Sequence, residues 1–272
     1  MEPFEQGSER YLKLSYWENK YPSLVAGFTT RNSGMSSAPF SSLNMGYHVQ
    51  DDPEIVSKNR QLLANDLSFP LVQWVGTEQV HHSKIVCVSQ EHKGMGSQDL
   101  RSAIRETDGI YTNERNVLLT SLYADCVPIY FYAPKATFIG LAHAGWRGTV
   151  DQIGPKMIRR WSEHESIPKE DILIVIGPSI SRRHYEVSDI VINAIDECFE
   201  RSFDKSLLYE KISDDHYLLD LQMVNKYLFI NEGIHPSQIT VSSLCTVSDE
   251  RLFSHRAEGG KTGRLMSFIG LR

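Results

Sequence analysis

Residues 117–149 read VLLTSLYADCVPIYFYAPKATFIGLAHAGWRGT. Val117 to Leu122, Ile129 to Tyr132 and Thr137 to Ala142 are apolar, β-branched or aromatic runs with Pro and Gly between or beside them, the composition of strands. Beyond GWRGT the period changes, because Val150, Ile153, Met157, Ile158 and Trp161 fit one face of a helix with Pro155 near its start or at a kink. Upstream, Ile85 to Val88 has strand composition, Leu71 to Val75 begins the strand-rich region, and Asp52 caps a helix with Pro53 at its first position. Downstream, Ile172 to Ile176 reads as a buried strand, and Ser188 and Asp220 cap two more helices, the second ending near Gly233. Gln238 to Ser242 and Leu265 to Ile269 are the last strands, and AEGGKTG between them is a loop or hairpin. This irregular order does not describe regular βαβ winding; it predicts an α+β fold with mixed sheets.

No repeat, no low-complexity linker and no long charge block divides the chain, so residues 1–272 are expected to form a single compact domain. A hydrophobic fraction of 41% against 23% charged is enough for a large core. The longest apolar stretch, Val127 to Gly140, is broken by Pro134 and Lys135 and is too short for a membrane span. MEPFEQGSER lacks the basic start and apolar run of a secretory signal, which predicts a cytoplasmic protein. A net charge of -6 disfavours nucleic acid as the main partner and leaves small ligands open. Cys87, Cys126, Cys198 and Cys245 are scattered without a CxxC pair, so neither a disulfide framework nor a zinc ribbon is expected.

Three residues stand at the edges of predicted strands: His81 in TEQVHHSK, Cys126 in LYADCVP and His143 in GLAHAGWRG. Two imidazoles and a thiolate suit zinc or copper, and three protein ligands leave a position open for substrate. His82 is an alternative to His81, and a free Cys is commonly only a small buried hydrophobe. Cys126 is equally a candidate nucleophile with His143 as base, and Asp125 beside it is a candidate general acid or base, or a turn residue. Gly145 and Gly148 flank Arg147, where backbone amides and a guanidinium could receive an anion. Arg31 in TTRNSG and the GGKTGR segment ending at Arg264 are weaker phosphate candidates. The absence of any HxH pair among ten histidines excludes a true multicopper oxidase centre.

The ordered set TTRNSGMSS, SSLNMGYHVQDDPEIVSKNR, TEQVHHSKI, TDGIYT, ADCVPI, LAHAGWRGT, GPSI, YEV, and CT followed by LFSHR and TGR closely resembles the YfiH/YlmD family, once labelled multicopper polyphenol oxidase or laccase-like. The resemblance covers about residues 29–272, and ADCVP with AHAGWRG is its most specific part. It implies a compact α+β domain with mixed sheets flanked by helices, and one metal site at His81, Cys126 and His143. It also implies phosphorolysis of adenosine, inosine and 5′-methylthioadenosine, with adenosine deaminase activity. Two departures from the family pattern are His82, where Gly commonly follows QVH, and SRRHYEV, where Gly-Pro and a Cys often precede YEV.

The expected enzyme is therefore zinc-dependent, with copper as the alternative metal, and takes purine nucleosides and phosphate. In deamination zinc would activate water and Asp125 would shuttle protons. In phosphorolysis Arg147, helped by Arg31 and Arg264, would hold phosphate. The rival readings are a cysteine or zinc hydrolase that edits a peptidoglycan precursor, and a copper-binding polyphenol oxidase. The oligomeric state is left open.

Overall fold

In the computed structural model, which describes residues 2–272, the run 117–149 contributes one strand to a first sheet and two to a second and then enters a helix. In chain order the elements are β1 (Phe4–Gln6), β2 (Tyr11–Leu14), α1 (Ser15–Lys20), β3 (Leu24–Thr29), α2 (Pro53–Leu67), β4 (Trp74–Val75), β5 (Ile85–Cys87) and β6 (Gly109–Thr112). They continue with β7 (Leu118–Tyr123), β8 (Val127–Ala133), β9 (Phe138–Ala144), α3 (Trp146–Val150), α4 (Ile153–Glu163), β10 (Leu173–Ile176), β11 (Glu186–Ser188) and α5 (Asp189–Asp196). The chain closes with β12 (Tyr209–Ser213), β13 (His216–Leu219), α6 (Leu221–Asn231), β14 (Ile239–Val241) and β15 (Leu265–Leu271).

One six-stranded sheet has the order β1-β2-β3-β15-β7-β4, the other β14-β10-β8-β9-β6-β5, and β11-β13-β12 form a small third sheet. Both large sheets are mixed: β4 runs parallel to β7, β5 to β6 and β10 to β14, and the other pairings are antiparallel. The α+β expectation with mixed sheets holds.

Side-chain alternation explains why the central strands are apolar at every position. Along β8, Val127, Ile129, Phe131 and Ala133 face a core shared with Met157, Ile158 and Trp161 of α4 and Val224, Leu228 and Phe229 of α6. Tyr130 and Tyr132 point the other way, into a second core with Phe28, Leu119, Leu265 and Ile269 of the first sheet. Met266 and Phe268 of β15 face Leu63, Ala64 and Leu67 of α2 in a third. The layers are therefore helix, sheet, sheet, helices, and both faces of each large sheet are covered.

Local signals account for the helix ends. Asp52 accepts from the Glu54 amide at 2.9 Å with Pro53 at the first position, and Asp220 accepts from Met223 at 2.9 Å. Ser188 occupies the cap position of α5 without a side-chain bond. The single helix expected after GWRGT is two, because Gln152 takes a left-handed φ of 57° between α3 and α4, and Pro155 lies in the first turn of α4. Leu71–Gln73 is a turn of 3-10 helix, with strand only at Trp74–Val75. Among the described residues no helix is long and apolar enough to cross a membrane, and the cysteines are free.

Candidate active site

The chain passes from the first sheet to the second at Ala124–Cys126, and Asp125 makes the corner with a φ of 86°. Asp and Asn tolerate this left-handed region better than most side chains. Cys126 thus sits just before β8, at the end where β8 and β9 pair Val127 with Ala144 and Pro128 with His143. His143 comes from β9, and His81 comes from the loop before β5, itself left-handed with φ 62°. One ligand atom of each of His81, Cys126 and His143 lies within 4.8 Å of the others. His82 is not part of the group; it is exposed and lies 3.9 Å from Asp151.

Asp108, at the start of β6, organises this cluster. Its carboxylate accepts from His143 Nδ1 at 2.8 Å and from the backbone N–H groups of Val80, His81 and His82 at 3.1, 3.0 and 3.1 Å. Since an ionised carboxylate only accepts, His143 Nδ1 is the protonated nitrogen and Nε2 is left to face the cluster. Burial pushes the Asp108 carboxyl up, but the bond and charge of His143 and the backbone amides outweigh it and hold it below its ordinary value. Burial likewise pushes the Cys126 thiol up, and His143 and His81 bring it down to about 6. Burial pushes His143 down, and Cys126 and Asp108 carry it up to about 9. The two shifts run in opposite directions, each charged form favouring the other.

The residues fit a metal ion. The donors are one soft thiolate and two imidazoles, one of them backed by a carboxylate, the set expected of zinc or copper. Gly145 leaves the space for them: a Cβ there would lie 3.1 Å from His81 Nδ1 and 3.2 Å from Cys126 Sγ.

The cluster opens on a cavity of about 580 Å³, within the roughly 300–1,000 Å³ of small-molecule sites. Its wall includes Leu122, Asp125, Ile180, Tyr185 and Leu221, with His48, His255, Arg256 and Arg264 as its further basic groups. The sequence reading missed His48, His255 and Arg256 as cavity residues, although GYHVQDD and LFSHR are among its motifs.

The three candidate arginines separate. Arg264 lines the cavity; its guanidinium donates to Thr262 O at 2.9 Å and Gly263 O at 3.1 Å, and no ion pair engages it among the described residues. Burial pushes it down, against the pull of Cys126 and Asp125. Arg31 does not line the cavity: it pairs with Glu258 at 2.9 Å and lies over the Phe253 ring. Arg147 is exposed and stacks on Trp146, 4.6 Å from its centroid, outside the cavity wall. Gly148, read as part of an anion loop, instead admits close packing, since a Cβ would meet His82 O at 3.1 Å and His143 O at 3.3 Å. Asp125 reaches the wall, but its two oxygens accept from Thr246 Oγ1 at 2.6 Å and from the Arg256 amide at 2.7 Å. So engaged, the carboxylate ties the loop after β14 and the Arg256 segment to the corner that carries Cys126.

A domain of two large mixed sheets with a His-Cys-His cluster in the wall of a cavity that also carries two arginines defines a candidate mononuclear metalloenzyme. Residues 25–272 match the family described as multi-copper polyphenol oxidoreductase laccase, and the chain belongs to that family. It is 43% identical to Purine nucleoside phosphorylase YlmD of Bacillus subtilis (strain 168), over 99% of this chain and 98% of that one. It is 44% identical to the protein of the same name from Geobacillus stearothermophilus, over 99% and 97%. The crystal structure of YlmD from Geobacillus stearothermophilus superposes with a TM-score of 0.96 at 42% identity, covering 100% of both chains. That of Bacillus licheniformis hypothetical protein YfiH gives 0.95 at 40% identity, covering 99% of both. The resemblance to YfiH/YlmD proteins is thereby established.

Proposed function

We propose that the protein is a zinc-dependent purine nucleoside phosphorylase, cleaving adenosine, inosine and 5′-methylthioadenosine with phosphate to the free base and (methylthio)ribose 1-phosphate, with adenosine deaminase activity at the same site. The observation that carries this reading is one cavity bordered both by the His81, Cys126 and His143 cluster and by Arg264, a guanidinium with no carboxylate partner. The curated relatives are named for phosphorolysis, which supports it.

Zinc bound at the cluster supplies Lewis acidity and lowers the pKa of water. The chain's own residues do the rest. Arg264 holds phosphate by charge-assisted hydrogen bonds where the ribose C1′ becomes electron-poor as the base departs. Tyr185, Ile180 and Leu221 form the less polar wall against which a purine and ribose pack. Asp108 holds His143 in one tautomer, and Asp125 positions Cys126 and the Arg256 backbone. Arg31 and Arg147 have no phosphate contact in this scheme, for the reasons of placement given above.

The test is to supply zinc-loaded protein with inosine and phosphate and to resolve hypoxanthine and ribose 1-phosphate by chromatography. Phosphate-dependent formation of both is expected, and Cys126→Ala should abolish turnover and metal binding together. Hypoxanthine formation indifferent to phosphate would refute phosphorolysis. One observation favours a second reading: a thiolate with two imidazoles also suits copper. Copper-loaded protein that consumes oxygen with phenols, and ignores nucleosides, would establish it.

A further inference from the structure

We infer that His48 is a second phosphate-contacting residue, its imidazole and the Arg264 guanidinium together forming the anion half of the cavity; the inference rests on the phosphorolysis reading. His48 lies on the cavity wall in the loop that leads to α2, exposed to the cavity space. Its ring makes no hydrogen bond among the described residues, whereas the polar groups beside it are occupied. Tyr47 Oη bonds Ser57 Oγ at 2.9 Å, and Asn44 Nδ2 bonds Asp51 at 2.9 Å.

His48 and Arg264 are built as a unit. Asn44 Oδ1 accepts from the Gly46 amide at 3.0 Å and from the Arg264 amide at 2.9 Å, and the Met45 amide donates to Arg264 O at 3.0 Å. Over this joint the backbone is bare: a Cβ on Gly46 would lie 2.8 Å from Arg264 Cγ and 3.3 Å from His48 Cε1. The glycine therefore lets the two side chains come together. Arg264 spends only Nη1 on Thr262 O and Gly263 O, so its Nε and Nη2 and the His48 ring, none of which has a hydrogen-bond partner among the described residues, face the cavity as donors for an acceptor from outside. Of the two co-substrates, phosphate is the one that is acceptor-rich and anionic. Crowding by the surrounding protein, then Arg264 and Arg60, hold the free imidazole neutral, with its pKa down to about 4. A neutral ring still offers one N–H.

The experiment follows zinc-loaded protein along two lines. Phosphorolysis of inosine at varied phosphate should show His48→Ala raising KM for phosphate at least tenfold with KM for inosine within twofold. His48→Gln, which keeps an N–H donor, should recover at least a third of the loss. Separately, the His48 ring signal in the NMR spectrum, identified by its loss in His48→Ala, is followed while inorganic phosphate is added to the wild type. A saturable shift is expected, at least tenfold weaker in Arg264→Ala. A signal that phosphate does not move, or a His48→Ala effect on KM for inosine instead of phosphate, overturns the assignment. If the wild type forms no phosphate-dependent product, the phosphorolysis reading fails, while the titration still decides whether His48 and Arg264 bind phosphate.

Discussion

Replacing Asp108 by Asn tests whether the cluster is a metal site whose geometry is set by one buried carboxylate. The side chain is fully buried and accepts four hydrogen bonds, one from His143 Nδ1 and three from the consecutive amides of residues 80–82. Asn is nearly the same size but puts an NH₂ group where one oxygen stood, so it cannot satisfy all four donors. If its amide nitrogen meets His143, the ring must accept at Nδ1 and carry its proton on Nε2, the atom needed for the metal. If its oxygen meets His143, the amide nitrogen faces the backbone donors and the loop bearing His81 loosens. Either way one ligand is disturbed. Loss of such a supporting partner typically lowers metal affinity about 10- to 100-fold, or roughly 1.4 to 2.8 kcal/mol. The assay is competition for zinc against a chromophoric chelator, with circular dichroism to confirm the fold. Asp151→Asn, whose carboxylate only approaches exposed His82 at 3.9 Å, is the control and should bind zinc as the wild type does. Wild-type zinc affinity in a folded Asp108→Asn protein would refute the reasoning.

Gly145→Ala isolates a steric effect, because Gly145 has φ -66° and ψ 172°, which Ala adopts freely. Its Cβ would press on His81 Nδ1 and Cys126 Sγ, so zinc affinity should fall about tenfold or more, a loss of at least ~1.4 kcal/mol, with the melting temperature of the metal-free protein little changed; unaltered affinity would contradict the ligand assignment. Arg31 acts on the anion side at one remove, since Glu258, its ion-pair partner at 2.9 Å, also accepts from the Ser254 amide at 3.2 Å and from Thr262 Oγ1, and Thr262 O holds Arg264. Arg31→Ala and Glu258→Ala should each raise KM for phosphate by about two- to fivefold, roughly 0.5–1 kcal/mol, and the double variant should be no worse than Glu258→Ala; fully additive effects would show that the pair does not work as a unit. The His48 imidazole should titrate near pH 4 by NMR, and Arg264→Ala should move its midpoint toward 6.5. Because the folded pKa is depressed, His48's contribution to stability is present above pH 6.5 and is lost as the pH falls toward 4; a midpoint at 6.5 in the wild type would dismiss the crowded, cationic setting.

The strands inside residues 117–149 were legible because residues buried on both faces must be apolar throughout, and Val127–Ala133 is. Sheet membership was not. Nothing in VLLTSLY and VPIYFYA tells that β7 and β8 belong to different sheets, since the change is made by the backbone of Asp125. The hairpin of β12 and β13 escaped notice because it is largely exposed and polar, so burial left no alternation to read. His81, Cys126 and His143 were legible as residue types at strand edges, strengthened by the family resemblance. Asp108 was visible in TDGIYT as a motif, but its task depends on partners at residues 80–82 and 143, which only pairing of β6 with β9 and the fold of the preceding loop bring together. The arginines show the same limit. Arg31, Arg147 and Arg264 all stand beside glycines or small polar residues, and the distinguishing fact is which guanidinium is already paired or stacked elsewhere.

The two halves of the cavity are held by different kinds of structure, and this has an energetic consequence. Cys126 and His143 sit at one end of a paired hairpin buried on both faces, and Asp108 ties His81 to the same strands, so the proposed metal ligands share the rigidity of the central sheet. His48 and Arg264 come from segments outside regular strands or at a strand's threshold, joined through Asn44 and, beyond it, through Glu258 to Arg31. Coupling between groups in contact or in one hydrogen-bond network is typically about 0.5–3 kcal/mol, whereas distant sites without shared partners are nearly additive. Changes at Arg31 and Glu258 should therefore alter phosphate affinity while leaving zinc affinity close to wild type, and changes at Asp108 should do the reverse. Asp125 joins the two halves, because one carboxylate beside Cys126, a proposed ligand, also holds the Arg256 amide at the start of the segment that ends in Arg264. It is the residue through which an alteration on one side is expected to reach the other.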